Sequence, residues 1–240
     1  MQISNAIVMI TGAARGIGLS LAEQFLAKGA TVIMFSRSGA PQSLLQQYPN
    51  TAIDFKGSVA DIDDVKACIA IIEKKFKKLD ILITNAGIAY FESLANTSDA
   101  HALEMIQTNL LGTFYCIREA YPLMKNNEGV KCVVGIHSIA ATTIFEDSSV
   151  YSATKAGTLS LLRSFRLEAR KNGISVIDVL PGATATAIWD PQMLEQHKKG
   201  MMTSDRVATV IIDALELSRT ADTDVLSIDE ITIRPWTGDL

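Results

Sequence analysis

Apolar residues follow two rhythms along this chain. Short, nearly continuous runs fall at residues 6–10, 31–35, 52–55, 81–84, 130–136, 175–180 and 226–233. They are rich in Val and Ile and do not alternate with polar residues, as expected of strands covered on both faces of a parallel sheet. Between them lie segments with helical spacing, at 17–27, 62–76, 100–124, 149–171 and 204–217. The third is long, and Pro122 marks its last turn. Strand–helix alternation from end to end predicts one α/β domain over residues 1–240, a doubly wound Rossmann fold with a mostly parallel sheet of about seven strands. No repeat, low-complexity tract or linker divides it. Residues 183–203 fit neither rhythm and are longer than most connections, which makes about 187–203 a candidate lid or binding loop.

Composition narrows the picture little. Hydrophobic residues make up 48% of the 240 and charged residues 20%, enough apolar material for a large core. A net charge of −4 and a pI near 5.4 give no electrostatic footprint for nucleic acid. Lys74, Lys75, Lys77 and Lys78 read as the solvated end of a helix. No run approaches the ~18 apolar residues of a membrane span, and the N-terminus lacks the basic region of a signal peptide. Cys68, Cys116 and Cys132 show no paired spacing, which predicts reduced, buried thiols and a cytoplasmic protein.

Candidate chemistry begins after the first strand, in "TGAARGIG", Thr11 to Gly18. A glycine turn opening a helix lets backbone N–H groups approach a pyrophosphate, and the helix N-terminus favours the anion. Gly12, Gly16 and Gly18 carry the pattern, with Arg15 and Ile17 between them. The second strand ends "MFSRS", with Ser36 where an NAD-selective fold carries an acid and Arg37 next. A hydroxyl and a guanidinium, with Arg15 in reach, suit a 2′-phosphate and point to NADP(H).

The second cluster is "YSATK", Tyr151 to Lys155. Residues i and i+4 share a helix face, so phenol and ammonium are expected in one cleft, where the ammonium lowers the phenol's pKa. Ser138 ends the strand "VVGIHS" upstream. His137 is adjacent, but neighbours on a strand face opposite ways, which argues against its serving as a second base.

With these residues in order, the chain resembles the short-chain dehydrogenase/reductase family. The matching stretches are "TGAARGIG", "NAG" at 85–87, "NLLG" at 109–112, Ser138, "YSATK" and "PGATAT" at 181–186. The resemblance implies Tyr151 as acid/base, Lys155 as the residue that tunes it and holds the nicotinamide ribose, and Ser138 as the hydroxyl that polarises a carbonyl. Asn109 would hold a relay water. Asn85, Ala86 and Gly87 would line the adenosine side, Ser58 and Val59 the adenine, and Pro181, Gly182, Thr184 and Thr186 the carboxamide. Ser58 departs from the family's aspartate, which implies either weaker adenine binding or another group in that role. The ending "ITIRP", Ile231 to Pro235, is similar to a final strand of the family and implies a complete chain. The family also implies a homodimer or homotetramer built on the two long helices.

The expected activity is NADPH-dependent reduction of a ketone or aldehyde, with no nucleic-acid or membrane partner. An NAD-dependent alcohol dehydrogenase and a non-catalytic NADP(H)-binding sensor or scaffold are the alternatives. Ile188, Trp189, Met193, Tyr90 and Phe145 are expected to contact a small apolar substrate. Glu146 and Asp147 stand nearby as solvated loop acids.

Overall fold

The computed structural model describes residues 3–127, 129, 131–218 and 226–238. Seven strands form one parallel sheet: β1 (Ile7–Thr11), β2 (Thr31–Ser36), β3 (Ala52–Lys56), β4 (Ile81–Thr84), β5 (Lys131–Ile136), β6 (Ile174–Pro181) and β7 (Glu230–Ile233). Their order is β3-β2-β1-β4-β5-β6-β7, every pair parallel. The order reverses between β1 and β4, and ligands of such sheets bind at the strand ends there. The continuous apolar runs are explained by burial on both sides. In β1, Val8 and Ile10 pack in one core layer, and Ile7 and Met9 in the other.

Helices α1 (Gly16–Ala27), α2 (Gln42–Gln47) and α8 (Ser204–Leu217) cover the first face through Leu21, Phe25, Leu44, Val207 and Ile211. Helices α3 (Ile62–Phe76), α5 (Gly112–Lys125) and α6 (Ser149–Arg170) cover the other through Val65, Ile69, Cys116, Ile117 and Leu162. Two shorter helices, α4 (Asp99–Met105) and α7 (Pro191–His197), lie in the connections above the sheet's C-terminal edge.

Three expectations change in detail, and a fourth falls outside the described residues. The helix expected over 100–124 is three pieces: α4, a π-helical turn at Ile106–Leu111, and α5. The wider turn leaves Asn109 buried, with its side-chain amide on the backbone of Ile88. The strand expected over 226–233 pairs with β6 only from Glu230, where the register Asp178↔Glu230 begins. Val130, expected to open the fifth strand, lies outside the described residues. The loop at 183–203 contains α7, started by Pro191 and capped by the Asp190 carboxylate, which accepts the N–H groups of Gln192 and Met193. Its ends are tied by Ala185 N–H to Met202 O (2.8 Å) and Met202 N–H to Ala183 O (2.9 Å).

The three cysteines are free and buried, as expected, and burial pushes the Cys68 and Cys132 thiols up to about 12. Among the described residues no helix is long and apolar enough to cross a membrane.

Candidate active site

The C-terminal edges of β1, β2, β4, β5 and β6 open into a cavity of about 750 Å³. On its floor the glycine turn bends sharply: Gly12 and Gly16 have φ of 67° and 58°, a region costly for residues with a Cβ. Arg15 is the N-cap of α1, with no side-chain cap and no acidic residue in the first turn. The helix's leading N–H groups and positive dipole end are thus left for an anion. The turn is held from behind. Thr11 Oγ1 accepts the N–H groups of Asn85 and Ala86 (both 3.0 Å). Asn85 Nδ2 donates to the carbonyls of Thr11 (2.9 Å) and Gly12 (3.2 Å). Thr11 was not singled out in the sequence, yet it joins β1 to the "NAG" segment. Only its place at the end of a buried strand could have flagged it.

At the end of β2, Ser36 Oγ accepts the Gly39 N–H at 3.1 Å. Arg37 is largely exposed and pairs loosely with Glu104 on α4, Nη1 to Oε1 at 3.7 Å. Among the described residues the acidic side chains lining the cavity are Glu146 and Asp147, far along the chain from Ser36, Arg37 and Ser38. Ser58 Oγ accepts the Ala60 N–H at 3.2 Å, and its own N–H donates to the Asp64 carboxylate at 2.8 Å. The side chain that departs from the family pattern is therefore engaged in its own turn.

Ser138, Tyr151 and Lys155 meet on the opposite wall. Ser138 leaves β5 in extended conformation and caps a 3-10 turn at Ile139–Ala141, its Oγ accepting the Ala140 N–H at 3.1 Å. Its own hydrogen is left to turn towards the Tyr151 oxygen, and the Ser138 hydroxyl favours the phenolate. Tyr151 and Lys155 are both buried on α6. Lys155 Nζ donates to the Ile136 carbonyl at 3.1 Å and sits 5.9 Å from the Tyr151 ring centroid. Burial pushes the phenol up to about 12, offset only in part by the Ser138 hydroxyl, and brings the ammonium down to about 8. The expected lowering of the tyrosine pKa is thus corrected. Within the chain alone desolvation dominates, and the ammonium is engaged by the Ile136 carbonyl.

Of the predicted site residues, Gly12, Arg15, Gly16, Ile17, Ser36, Arg37, Ser58, Val59, Asn85, Ala86, Gly87, Ser138, Tyr151, Lys155, Pro181, Gly182, Thr184 and Thr186 line this one cavity. Gly18 and Asn109 lie behind its wall. Asn109 donates to the Ile88 carbonyl (2.9 Å) and to Thr154 Oγ1 (3.0 Å), and its own carbonyl accepts from Thr113 Oγ1 (2.7 Å). A Cβ on Gly87 would lie 3.3 Å from Lys155 Nζ and 3.4 Å from Asn109 Oδ1, so the glycine keeps the space between them open.

Beyond Tyr151 the walls are mostly apolar. Phe145, Ile188, Trp189 and Met193 line this end as expected, with Glu146 and Asp147 near them. Tyr90 does not. It turns outward, donates to Glu104 at 2.7 Å and stacks on His101 with ring centroids 3.8 Å apart. Phe91 takes its place, stacked on Trp189 at 5.1 Å and edge-on to Tyr151 at 5.6 Å. The Trp189 indole is fixed by donation to the Thr184 carbonyl at 3.0 Å. His197, from α7, also lines the cavity and carried no signal in the sequence.

A cradle for a dinucleotide beside a neutral phenol, a hydroxyl and an ammonium is the equipment of a nicotinamide-dependent oxidoreductase. The short chain dehydrogenase family profile matches residues 6–197, and the chain belongs to that family as an NAD(P)-dependent oxidoreductase. It is 31% identical to a sepiapterin reductase of Chlorobaculum tepidum, over 98% of each chain. It is also 31% identical to a 3-oxoacyl-[acyl-carrier-protein] reductase of Staphylococcus aureus, over 81% of this chain and 80% of that one. In fold it is similar to an alcohol dehydrogenase of Thermococcus sibiricus solved with 5-hydroxy-NADP, with a TM-score of 0.85, 22% identity and 98% of each chain covered.

Proposed function

We propose that the protein is an NADPH-dependent reductase that converts a ketone or aldehyde to an alcohol, with Tyr151 as proton donor. The observation that carries this is that buried Tyr151 shares with Ser138 and Lys155 the one cavity into which the glycine turn opens. When bound, the nicotinamide supplies hydride to the carbonyl carbon. The chain's groups fit such a cofactor. Arg15, Gly16 and Ile17 offer backbone N–H groups to the pyrophosphate, Gly12 shapes the turn with its own N–H on the Phe35 carbonyl at 2.8 Å, and Ser58, Val59, Asn85, Ala86 and Gly87 flank the adenosine. Lys155 holds the ribose, and Pro181, Gly182, Thr184 and Thr186 the carboxamide.

Ser138 donates to the substrate oxygen as negative charge develops there. Tyr151, neutral at physiological pH, gives that oxygen its proton. A water held by Asn109 beside Lys155, in the space that Gly87 leaves open, would pass a solvent proton through the Lys155 ammonium back to the phenol. The loop 187–203 with α7 closes the substrate end as a lid. Its Ile188, Trp189 and Met193, with Phe91 and Phe145, favour an apolar carbonyl compound. Two of the relatives are reductases by name, which supports the same direction. Exposed Phe114 on α5 and Leu167 on α6 suit an oligomer built on these helices, and the free buried thiols suit a reducing cytoplasm.

The NADPH preference rests on Ser36, Arg37 and Arg15. Arg37→Asp replaces a cation by an anion beside the 2′ position, so the ratio of NADPH to NADH affinity should fall by at least ~10-fold, about 1.4 kcal/mol. Fluorescence titration with both dinucleotides reads this, and an unchanged ratio would remove Arg37 from the reading. Glu104 competes for the same guanidinium. An exposed pair is worth about 0.2–1 kcal/mol, so Glu104→Gln should tighten NADPH by roughly 1.5- to 5-fold and leave NADH unchanged. Weaker NADPH binding would mean that Glu104 orients Arg37 rather than competing for it.

A further inference from the structure

His137 has no part in the reaction above, yet it sits in a buried cluster in which both of its ring nitrogens have partners. Its Nε2 is 2.7 Å from Asp178 Oδ1 on β6, and its Nδ1 is 3.0 Å from Thr158 Oγ1 on α6. The other Asp178 oxygen takes Arg166 of α6, which also donates to the carbonyls of Val176 and Asp229. Asp178 is fully buried and His137 nearly so. The strand leaves room beside the ring: a Cβ on Gly135 would lie 2.3 Å from Leu162 Cδ2 and 2.7 Å from His137 Nε2. Glycine weakens a strand interior, and here its absent side chain makes room for a Leu162 methyl and the imidazole together.

We infer that His137 is a positioning residue, a strut that fixes the end of β5 carrying Ser138 against the face of α6 carrying Tyr151 and Lys155. Tyr151, Lys155 and Thr158 fall at i, i+4 and i+7, on one face of that helix. The strut therefore grips α6 one turn beyond the lysine, while the next residue of the chain after His137 is Ser138. The inference rests on the reading that Ser138 and Tyr151 carry the chemistry.

Hydrogen accounting defines the strut's form. A carboxylate only accepts, so Nε2 carries a hydrogen. Thr158 has one hydroxyl hydrogen and two acceptors in reach, His137 Nδ1 and the Lys155 carbonyl at 2.9 Å. If the ring is neutral, Thr158 donates to Nδ1; if it is charged, Nδ1–H donates to Thr158, whose hydrogen turns to the Lys155 carbonyl. Burial favours the neutral ring, Asp178 opposes this, and Lys155 and Arg163 reinforce it. Arg166 already meets the Asp178 charge. The strut is the neutral Nε2–H imidazole accepting from Thr158.

Three variants of the full chain test this. Thr158→Val removes the hydroxyl and leaves no buried charge unpaired. His137→Leu removes both contacts. His137→Gln keeps a donor for Asp178 and an acceptor for Thr158 but cannot be protonated. Amide hydrogen exchange should rise by ~10-fold or more at residues 138–141 and 149–158 in the first two, and return to within about threefold of wild type in the third. With phenanthrenequinone and NADPH as probes, kcat should fall by roughly 10- to 100-fold in the first two, be rescued by Gln, and leave NADPH affinity within about threefold. Unchanged exchange in those segments, or an even rise across the whole sheet, would overturn the strut. Exchange decides without turnover, so a wild-type protein inert towards the quinone would count against the reductase reading alone.

Discussion

Tyr151→Phe is expected to lower kcat for carbonyl reduction by roughly 10²- to 10⁴-fold, the usual weight of a positioned general acid. NADPH affinity should stay within about threefold. The substitution removes one oxygen and keeps the ring, whose packing on Phe91 holds the substrate wall in place. Ser138 remains fixed by the Ala140 N–H, so the loss reports the proton and not a collapsed site. Stopped-flow single turnover separates this from slow product release, and a variant retaining more than a tenth of the wild-type rate would require another donor.

The pH profile of the same reaction follows from the two shifts. The phenol, raised to about 12, holds its proton across the working range. The ammonium, brought down to about 8, is charged below that pH and neutral above it. kcat/KM for reduction, which reports the free enzyme, should therefore be flat at acidic and neutral pH and fall as pH rises through about 8. The limb belongs to Lys155, and Lys155→Met should abolish it along with most of the rate.

Gly18→Ala is expected to weaken NADPH binding by at least ~10-fold and to lower Tm by roughly 5–10 °C. The added methyl would strike the Gly12 carbonyl oxygen and come within 2.5 Å of Asn85 Nδ2. Both neighbours are committed: that amide donates to the carbonyls of Thr11 and Gly12, which fix the turn's geometry. Overpacking costs about 1–3 kcal/mol, and unmaking buried hydrogen bonds adds about 1–3 kcal/mol. Differential scanning fluorimetry with and without NADPH reads both effects. Wild-type Tm and affinity together would show that the turn yields, and would reduce Gly18 to a spacer.

What the sequence by itself determined is whatever repeats locally or sits at fixed spacing. β1, β2 and β4 were legible because each is covered on both faces and therefore reads as a nearly unbroken apolar run, and β6 reads so despite its buried Asp178. The glycine turn, Ser138 and the Tyr151–Lys155 pair were legible because short-range geometry fixes their spacing along the chain.

The tertiary structure decided the rest. α2 has a single buried residue, Leu44, too little to print a period. The π-helical turn at Ile106–Leu111 leaves helical spacing intact on either side, so one shifted hydrogen-bond register was invisible. Tyr90 and Phe91 are adjacent aromatics, and only the packing of Trp189 and Glu104 chose which one faces the cavity. The tyrosine's pKa went up rather than down because its burial comes from elements distant in sequence, as does the carbonyl that engages Lys155. Likewise Gly135, His137, Thr158 and Asp178 look unrelated along the chain. Strand pairing and helix packing make them one cluster, since side-chain periodicity encodes which face is buried but not what it meets there.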